Sequence, residues 1–318
     1  MAMRDLYVAI GAVLLSLLIV LSAAATAQRV SAIEAAAPIG GEDYIALVEL
    51  SGTIDYDAGD VFSASGITPR AVERLVDKVL KDKAAKAVVI VVNSPGGTAA
   101  SFEVYEHIKR LSRERVVVVY FTGVGTSGAY LISLPADLLV AHPASLVGSV
   151  GAIAVLLNFK GLLDKLGINT TTVTSGDLKD VGNPYREIKR EDLEYLRDIV
   201  KSFAEVFIEK VREHRGDKIA DMREVMRAGV YPAERARQLG LVDLVGTLDV
   251  AVQKARELAN LSSDAPVKRV ERDIDIFEIV SRFQPSAMLP KPSPLSVEIL
   301  LMWPLPQAQE IVVIRPWD

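Results

Sequence analysis

The sequence predicts an α/β protein with a parallel β-sheet, preceded by a membrane segment at its N-terminus. Along the first half of the chain, continuous β-branched runs alternate with amphipathic helical patterns. Such alternation is typical of right-handed βαβ units whose strands are buried on both faces. Separately, the stretch from Tyr7 to Ala27 is uncharged and dominated by Ala, Val, Leu and Ile. The first observation predicts the fold class, and the second predicts a chain that is inserted into or exported across a membrane.

Composition narrows the possible functions. The chain has 318 residues, of which 50% are hydrophobic, and a net charge of −5. It can therefore bury a large core, and it lacks the basic surface expected of a nucleic-acid-binding protein. It has no cysteine, which excludes disulfides and thiolate chemistry, and only three scattered histidines. We expect no cofactor, no metal and no nucleic-acid partner.

Residues 1–28 are predicted to form a transmembrane anchor or a signal segment. The 21 uncharged residues from Tyr7 to Ala27, if helical, span about 30 Å, which is the thickness of the hydrocarbon core. A cleavable signal peptide is the alternative, because Ala25-Thr26-Ala27 is a small-residue site of the right kind. Either way, the rest of the chain is expected on the extracytoplasmic side of the cell membrane, with a single membrane pass if the segment is retained. Residues 29–43 are rich in Ala, Gly and Pro and indicate a stalk.

The main domain is predicted over residues 44–260. The predicted strands are Tyr44–Leu50, Ala87–Val92, Arg115–Phe121 and Thr170–Thr174. The predicted helices are Thr68–Asp82, Ala99–Leu111, Arg190–His214, Lys218–Ala228, Ala233–Leu239 and Leu248–Leu258.

The first glycine loop, Asn93–Thr98, lies between a predicted strand and a predicted helix. Its glycines, Gly96 and Gly97, free backbone N–H groups to point outward at the mouth of the helix. That geometry suits an anion or an oxyanion. The alternative is an ordinary strand-to-helix turn.

The second glycine loop, Gly123–Tyr130, also joins a strand to a helix. Its letters match the dinucleotide-binding fingerprint, but the acidic residue expected about 20 positions later is missing. A different interpretation is that Ser127 is a nucleophile raised on a tight turn at a helix N-terminus, where developing negative charge is favoured. An ordinary helix-capping serine is the remaining alternative.

A serine nucleophile needs a base, and the three histidines are poorly placed for that role. His107 lies on a charged helix face, His142 follows a strand, and His214 ends the longest helix, so all three are expected at the surface. A lysine can replace histidine where burial disfavours its charged form. Lys179 lies in a glycine-bracketed loop after a predicted strand and is the candidate, with an ordinary solvated lysine as the alternative.

Five stretches in a fixed order resemble one family. They are NSPGG (Asn93–Gly97), TSGAYLIS (Thr126–Ser133), GSVGAI (Gly148–Ile153), SGDLKDVGNPYR (Ser175–Arg186) and YPAERARQLGLVD (Tyr231–Asp243). Together they resemble the signal peptide peptidase A family of membrane-anchored Ser–Lys peptidases. That resemblance implies a ClpP/crotonase-like layered β-α spiral and a Ser–Lys peptidase domain over residues 44–260.

The resemblance also implies residue roles. Ser127 would be the nucleophile, Lys179 the general base, and Ser149 a residue that hydrogen-bonds the lysine. The amides of Gly97 and Gly128 would form the oxyanion hole.

Gly96 is the alternative to Gly97 in the oxyanion hole. The family further implies a homo-oligomer with active sites where protomers meet, and hydrophobic peptide substrates such as remnant signal peptides. One departure is Ala129, where the family usually has a second glycine after the nucleophile.

Three related classes are alternatives. ClpP-type proteases use a histidine at a position where this chain has Ala152. A crotonase-like acyl-CoA enzyme, or a non-catalytic scaffold, would lack the Ser–Lys pair. Stomatin-directed membrane proteases use Ser–Lys with a shorter spacing than the 52 residues that separate Ser127 from Lys179.

Residues 261–318 are predicted to form a Pro-rich C-terminal tail. Its prolines remove backbone donors and disfavour helix. Within the tail, the apolar stretch Val297–Trp303 is expected to add a strand to a sheet edge or to lie in the substrate groove as an intramolecular peptide. A disordered or simply packed terminus is the alternative.

Overall fold

The computed structural model describes residues 42–57 and 66–271, together with the backbone of residues 298–302. All of these except Glu42 belong to one compact unit, Asp43–Asp318. The predicted membrane segment, nearly all of the stalk and most of the C-terminal tail lie outside the described residues. Within the described ranges, no helix is both long enough and apolar enough to cross a membrane.

The described residues form a mixed α/β fold. The strands are β1 (Tyr44–Ser51), β2 (Thr53–Ile54), β3 (Gly66–Ile67), β4 (Ala85–Ser94), β5 (Gly96–Gly97), β6 (Val116–Thr126), β7 (Leu138–Ala141), β8 (Leu146–Gly148), β9 (Ile153–Val155), β10 (Val230–Pro232), β11 (Leu244–Val245), β12 (Val267–Arg269) and β13 (Glu298–Met302). The helices are α1 (Pro69–Lys81), α2 (Ala100–Ser112), α3 (Gly128–Ser133), α4 (Lys160–Lys165), α5 (Arg190–Arg215), α6 (Met222–Val225), α7 (Ala233–Gln238) and α8 (Leu248–Leu258).

The larger sheet has eight strands in the order β10-β8-β6-β4-β1-β12, with β7 beside β6 and β11 beside β7. Every pair is parallel except β8 with β10. The Val-rich strands β4 and β6 are buried on both faces, as their unbroken apolar runs predict. The predicted parallel α/β sheet is therefore confirmed.

Helices cover both faces of this sheet. On one face, α1 and α2 pack against alternate residues of the strands. On the other face, α8 packs with Ala251 and Ala255 against Val89 and Val118. The start of α1 is fixed locally, because the Thr68 hydroxyl accepts a hydrogen bond from an amide in the first turn. The core is thus layered around strands whose carboxyl ends point to one edge.

The smaller sheet has the order β3-β2-β5-β13-β9. β13 lies antiparallel to both β5 and β9, with Leu301 opposite Gly97 and Leu300 opposite Ile153. The apolar stretch of the tail is predicted to add a strand at a sheet edge; the backbone of Glu298–Met302 does form a strand, but inside the smaller sheet, between β5 and β9.

Two predicted elements differ from the structure. Thr170–Thr174 is not a strand but an exposed irregular stretch, and the Thr170 hydroxyl donates to the Tyr185 carbonyl at 2.9 Å. The helix predicted over Lys218–Ala228 is only α6. It starts late because the Asp221 side chain caps it, and it ends before Ala228, whose φ is 56°.

The sheet also continues past Asn260. β12 pairs in parallel with β1, and Ala265 just before it is 2% exposed. The first residues after the predicted domain boundary therefore contribute an edge strand.

Candidate active site

Ser127 stands between β6 and α3 in a strained backbone conformation. Its φ of 55° and ψ of −122° lie in a region that residues with a side chain rarely adopt. Its amide donates to the Gly148 carbonyl at 2.7 Å, and its side chain is not engaged in capping α3. The simple capping interpretation is therefore wrong, and the turn has the strained geometry of a nucleophile elbow.

The two glycine loops meet beside Ser127. A Cβ on Gly128 would lie 3.2 Å from the Gly97 nitrogen and 2.3 Å from the Ser101 Oγ. A Cβ on Gly97 would lie only 1.7 Å from the Ile54 carbonyl oxygen. Gly97 therefore requires glycine because the Ile54 backbone lies too close for any side chain, whereas at Gly128 the nearest obstacle to a Cβ is the Ser101 side chain.

Gly96 differs from its neighbour because its amide is already used. It donates to the buried Ser94 hydroxyl at 3.1 Å. A backbone donor engaged in this way is a poor candidate for binding an oxyanion. This hydrogen bond weakens the case for Gly96, and Gly97 stays the prediction.

Asn93 joins the two loops, a function that the sequence did not single out. Its side-chain oxygen accepts a hydrogen bond from the Val124 amide at 3.1 Å. The signal was available, since an Asn at the end of a strand commonly bonds nearby backbone amides.

Ser149 follows β8 and lies close to the Ser127 turn. Thr126 of β6 is paired with Gly148 of β8, so the two serines follow neighbouring strands at the same edge of the sheet. Ser149 also has a φ of 55°, and its amide donates to the Gly229 carbonyl at 2.7 Å. The structure therefore brings Ser149 together with the nucleophile candidate.

Tyr130 anchors the helix that Ser127 begins. Its side chain is fully buried, and its hydroxyl donates to the Leu241 carbonyl at 2.8 Å. Burial raises the pKa of Tyr130, so it remains a neutral donor. This bond connects the TSGAYLIS stretch to the YPAERARQLGLVD stretch.

Lys179 lies in an exposed loop after the irregular stretch. Its amide donates to the Gly176 carbonyl at 3.1 Å. Within the described part of this single chain, its side chain has no hydrogen bond or ion pair with Ser127 or Ser149. The contacts of the described residues thus join the serine to the glycine loops, and none of them includes the Lys179 side chain.

The histidines do not supply a base in the described residues. The His142 ring accepts from the Ala144 amide at 3.2 Å. His214 is partly buried rather than fully exposed as predicted, since its Nε2 lies 2.8 Å from the hydroxyl of the buried Tyr105, and burial lowers the pKa of His214. The surface prediction also fails in part for His107, whose Nε2 is buried, and none of the three rings is bonded to Ser127 in the described residues.

A parallel α/β sheet that presents a strained serine beside two close-packed glycine loops defines a candidate serine hydrolase. The sequence comparisons identify which kind. The profile of peptidase family S49 matches residues 109–262. A protein of Methanocaldococcus jannaschii, named provisionally as a protease, is 40% identical over 228 residues, which cover 70% of this chain and 73% of that protein. The chain belongs to peptidase family S49, and the resemblance to signal peptide peptidase A is confirmed.

Several other relatives are much longer than the region that matches this chain. The chloroplastic serine protease SPPA of Arabidopsis thaliana is 29% identical over 235 residues, 73% of this chain but only 35% of that protein. Two Na(+)/H(+) antiporters named NhaA, from Brucella melitensis and Brucella abortus, are matched over 24% and 25% of their length.

Among solved structures, a Pyrococcus horikoshii membrane protease specific for a stomatin homologue aligns with 77% of this chain and 100% of that one. The sequence identity is 14% and the TM-score 0.41. A likeness at that score supports no conclusion about function.

Proposed function

We propose that this protein is a membrane-anchored serine endopeptidase with a Ser–Lys dyad, which hydrolyses hydrophobic peptides such as remnant signal peptides. The observation that carries the proposal is the strained Ser127 turn beside Gly97 and Gly128. Membership of family S49 supports a peptidase. Family membership also supports a ClpP/crotonase-type spiral and an N-terminal anchor with the catalytic domain outside the cytoplasm.

The proposed chemistry uses this chain's own groups. Ser127 Oγ attacks the peptide carbonyl while neutral Lys179 takes its proton, and the N–H groups of Gly97 and Gly128 stabilise the oxyanion. Lys179 then gives the proton to the leaving amine as the C–N bond breaks. Lys179 then deprotonates a water molecule that attacks the acyl-enzyme carbonyl, and it returns that proton to Ser127 Oγ as the ester C–O bond breaks and the acid product leaves. Ser149 orients the lysine by a hydrogen bond.

The site is proposed to be completed by a second copy of the chain. Lys179 is exposed in the single chain, and the segment around it displays large apolar side chains. Leu166 is 64% exposed, Val173 93% and Leu178 55%. Exposed apolar groups this close together indicate a contact surface, and a neighbouring protomer would desolvate the lysine as a base requires.

The test is hydrolysis of casein and of apolar peptide esters by the full-length protein in detergent. Ser127→Ala and Lys179→Ala should each lower kcat by roughly 10⁴-fold or more, and the double variant should be no worse, because the two residues act as one unit. The melting temperature should not change. Intact mass should reveal an acyl-enzyme in the wild type. Near-wild-type turnover in either single variant would refute the dyad.

A further inference from the structure

The segment between β9 and α5, residues 156–189, carries Lys179 but has little hydrophobic core. The helix α4 within it buries no side chain. Leu162 on that helix is 55% exposed, and Leu166 just after it is 64% exposed. Since apolar packing does not fix this segment, polar contacts must set the position of the backbone beside Lys179.

Arg186 is the centre of those contacts. Its Nε and Nη2 donate to the two carboxylate oxygens of Asp180 at 2.8 and 3.0 Å, and Nη2 also donates to the Asp180 carbonyl at 3.0 Å. Its Nη1 donates to the Asp192 carboxylate at 2.5 Å and to the Glu187 carbonyl at 2.8 Å. One planar guanidinium therefore serves two carboxylates and two carbonyls.

This cluster is covered, unlike the ion pairs around it. The side chains of Arg186, Asp180 and Asp192 are 19%, 18% and 5% exposed. Nearby, Arg190 and Glu194 form a helix-surface pair whose side chains are 87% and 53% exposed. Exposed pairs contribute little, whereas a covered, forked pair holds a defined geometry.

The two carboxylates belong to different parts of the protein. Asp180 directly follows Lys179 in the chain. Asp192 lies in the first turn of α5, a helix that buries Phe207 and Val211 in the main core. The guanidinium thus connects the lysine backbone to a helix that is itself fixed to the sheet.

The charges in the cluster are stable at neutral pH. Hydrogen bonds from Arg186 hold the pKa of both Asp180 and Asp192 below the ordinary value. The Asp180 carboxylate is therefore ionised and committed to the arginine rather than to its neighbour, Lys179.

We propose that Arg186 is a positioning residue of the peptidase site. Through Asp180 and Asp192, it fixes the position of the Lys179 backbone relative to α5. The inference rests on the proposed role of Lys179 as the general base. Arg186 touches neither the substrate nor the reacting atoms. A guanidinium is required rather than any cation, because only its fork reaches both carboxylates at once.

The experiment measures kcat, KM and melting temperature of the full-length protein. Arg186→Gln should lower kcat about 100-fold with KM within about twofold, as expected when a catalytic group is misplaced but substrate contacts remain. Arg186→Lys, which keeps the charge without the fork, should lose about tenfold. In Arg186→Ala, about 10 mM guanidinium ion should restore part of kcat by refilling the cluster. Arg190→Gln is the matched control and should match the wild type.

Two results would overturn the inference while leaving the dyad intact. The first is wild-type kcat in Arg186→Gln when Lys179→Ala is inactive. The second is an equal loss in Arg186→Gln and Arg186→Lys, with a lowered melting temperature and no recovery on adding guanidinium, which would assign Arg186 to stability alone. If instead Lys179→Ala remains fully active, the proposed function and this inference fail together.

Discussion

The serine and the lysine of the candidate dyad lie in regions of opposite physical character. Ser127 is 2% exposed, its backbone is strained, and its amide is bonded to the neighbouring strand. Lys179 is exposed and lies in a segment with little buried apolar surface. The first region is positioned by the core of the sheet, and the second by a covered ionic cluster around Arg186.

The difference teaches how the strain at Ser127 can persist. A positive φ in a non-glycine residue costs about 1–3 kcal/mol and survives only where the surroundings over-determine it. The buried ends of β6 and β8 supply those surroundings. The lysine segment has no such support on its exposed side, so we expect its working environment to form only when another protomer covers it.

The largest effect is therefore expected from mixing two inactive variants. If Ser127 of one protomer works with Lys179 of its neighbour, co-expressed Ser127→Ala and Lys179→Ala chains should regain activity. A neighbouring pair with both groups intact forms at about one interface in four in a symmetric ring, so the mixture should recover about a quarter of the wild-type rate. Peptide hydrolysis by the co-purified oligomer measures this.

The control is the double variant Ser127→Ala/Lys179→Ala co-expressed with Ser127→Ala, which has no intact serine and should remain inactive. A mixture of the two single variants that forms oligomers yet stays inactive would show that each site lies within one chain. A fully active monomer, seen by sedimentation at assay concentration, would contradict the shared site as well.

The second prediction concerns the close contact of Gly128 with Ser101 and Gly97, beside Ser127. Gly128→Ala places a Cβ 2.3 Å from the Ser101 Oγ and 3.2 Å from the Gly97 nitrogen. We expect kcat to fall about 100-fold, because the proposed oxyanion donors are displaced. Ser101→Gly removes the nearer obstacle, so kcat of the double variant should be about tenfold higher than kcat of Gly128→Ala.

Ser101→Ala provides the control for this pair. The Ser101 hydroxyl is buried and has no hydrogen-bond partner among the described residues. Removing it should leave stability unchanged or raise it by about 1 kcal/mol. Loss of activity in Ser101→Ala alone would instead assign that hydroxyl a role in the reaction.

The accuracy of the sequence predictions also differs between the buried sheet and the segment around Lys179. Strands β1, β4 and β6 are visible as apolar runs, and α8 has the predicted bounds, because burial by the sheet and helix periodicity act locally. Thr170–Thr174 has the composition of a strand, but none of the strands in the described residues pairs with it. The late start of α6 depends on the Asp221 cap, and whether Lys179 contacts Ser127 depends on tertiary structure. None of these can be read from a local pattern.

The third prediction concerns the acid stability of the folded domain, which depends on the ion pairs of Asp243. Burial acts to raise the pKa of Asp243, but hydrogen bonds from Arg215 and Lys218 outweigh it, so the pKa lies below the ordinary value. The stabilisation is complete above the unfolded pKa of about 3.9 and is lost as pH falls through the folded pKa. Asp243→Asn should cost about 3 kcal/mol at pH 7, because Arg215 is 3% exposed and would be left unpaired.

Denaturant unfolding at pH 7 and pH 3 measures that difference. The gap between wild type and Asp243→Asn should shrink by about 1 kcal/mol per pH unit below about 3.9. Glu234→Gln, which breaks an exposed pair with Arg237, is the control and should be without measurable effect at either pH. A gap of the same size at both pH values would contradict the depressed pKa.

The smallest effect is expected where the C-terminal tail meets the site. β13 pairs with β5 opposite Gly97 and with β9, so the tail backbone occupies the edge that an extended peptide substrate would use. We expect it to act as a displaceable plug or as a substrate. A chain ending at Glu271 keeps β12, and its kcat/KM for a short apolar peptide ester should rise about threefold, because an intramolecular competitor is removed.

The variant Leu301→Pro distinguishes the effect of losing β13 pairing from the effect of shortening the tail. It removes one backbone donor and disfavours the strand without shortening the chain, so it should reproduce most of the gain. Mass analysis over time adds a second readout, since the wild type should lose its tail if the tail is a substrate, whereas Ser127→Ala should retain it. If the tail persists in active enzyme and neither variant changes the rate, β13 has only a structural role, and the groove beside Gly97 must accept substrate by another route.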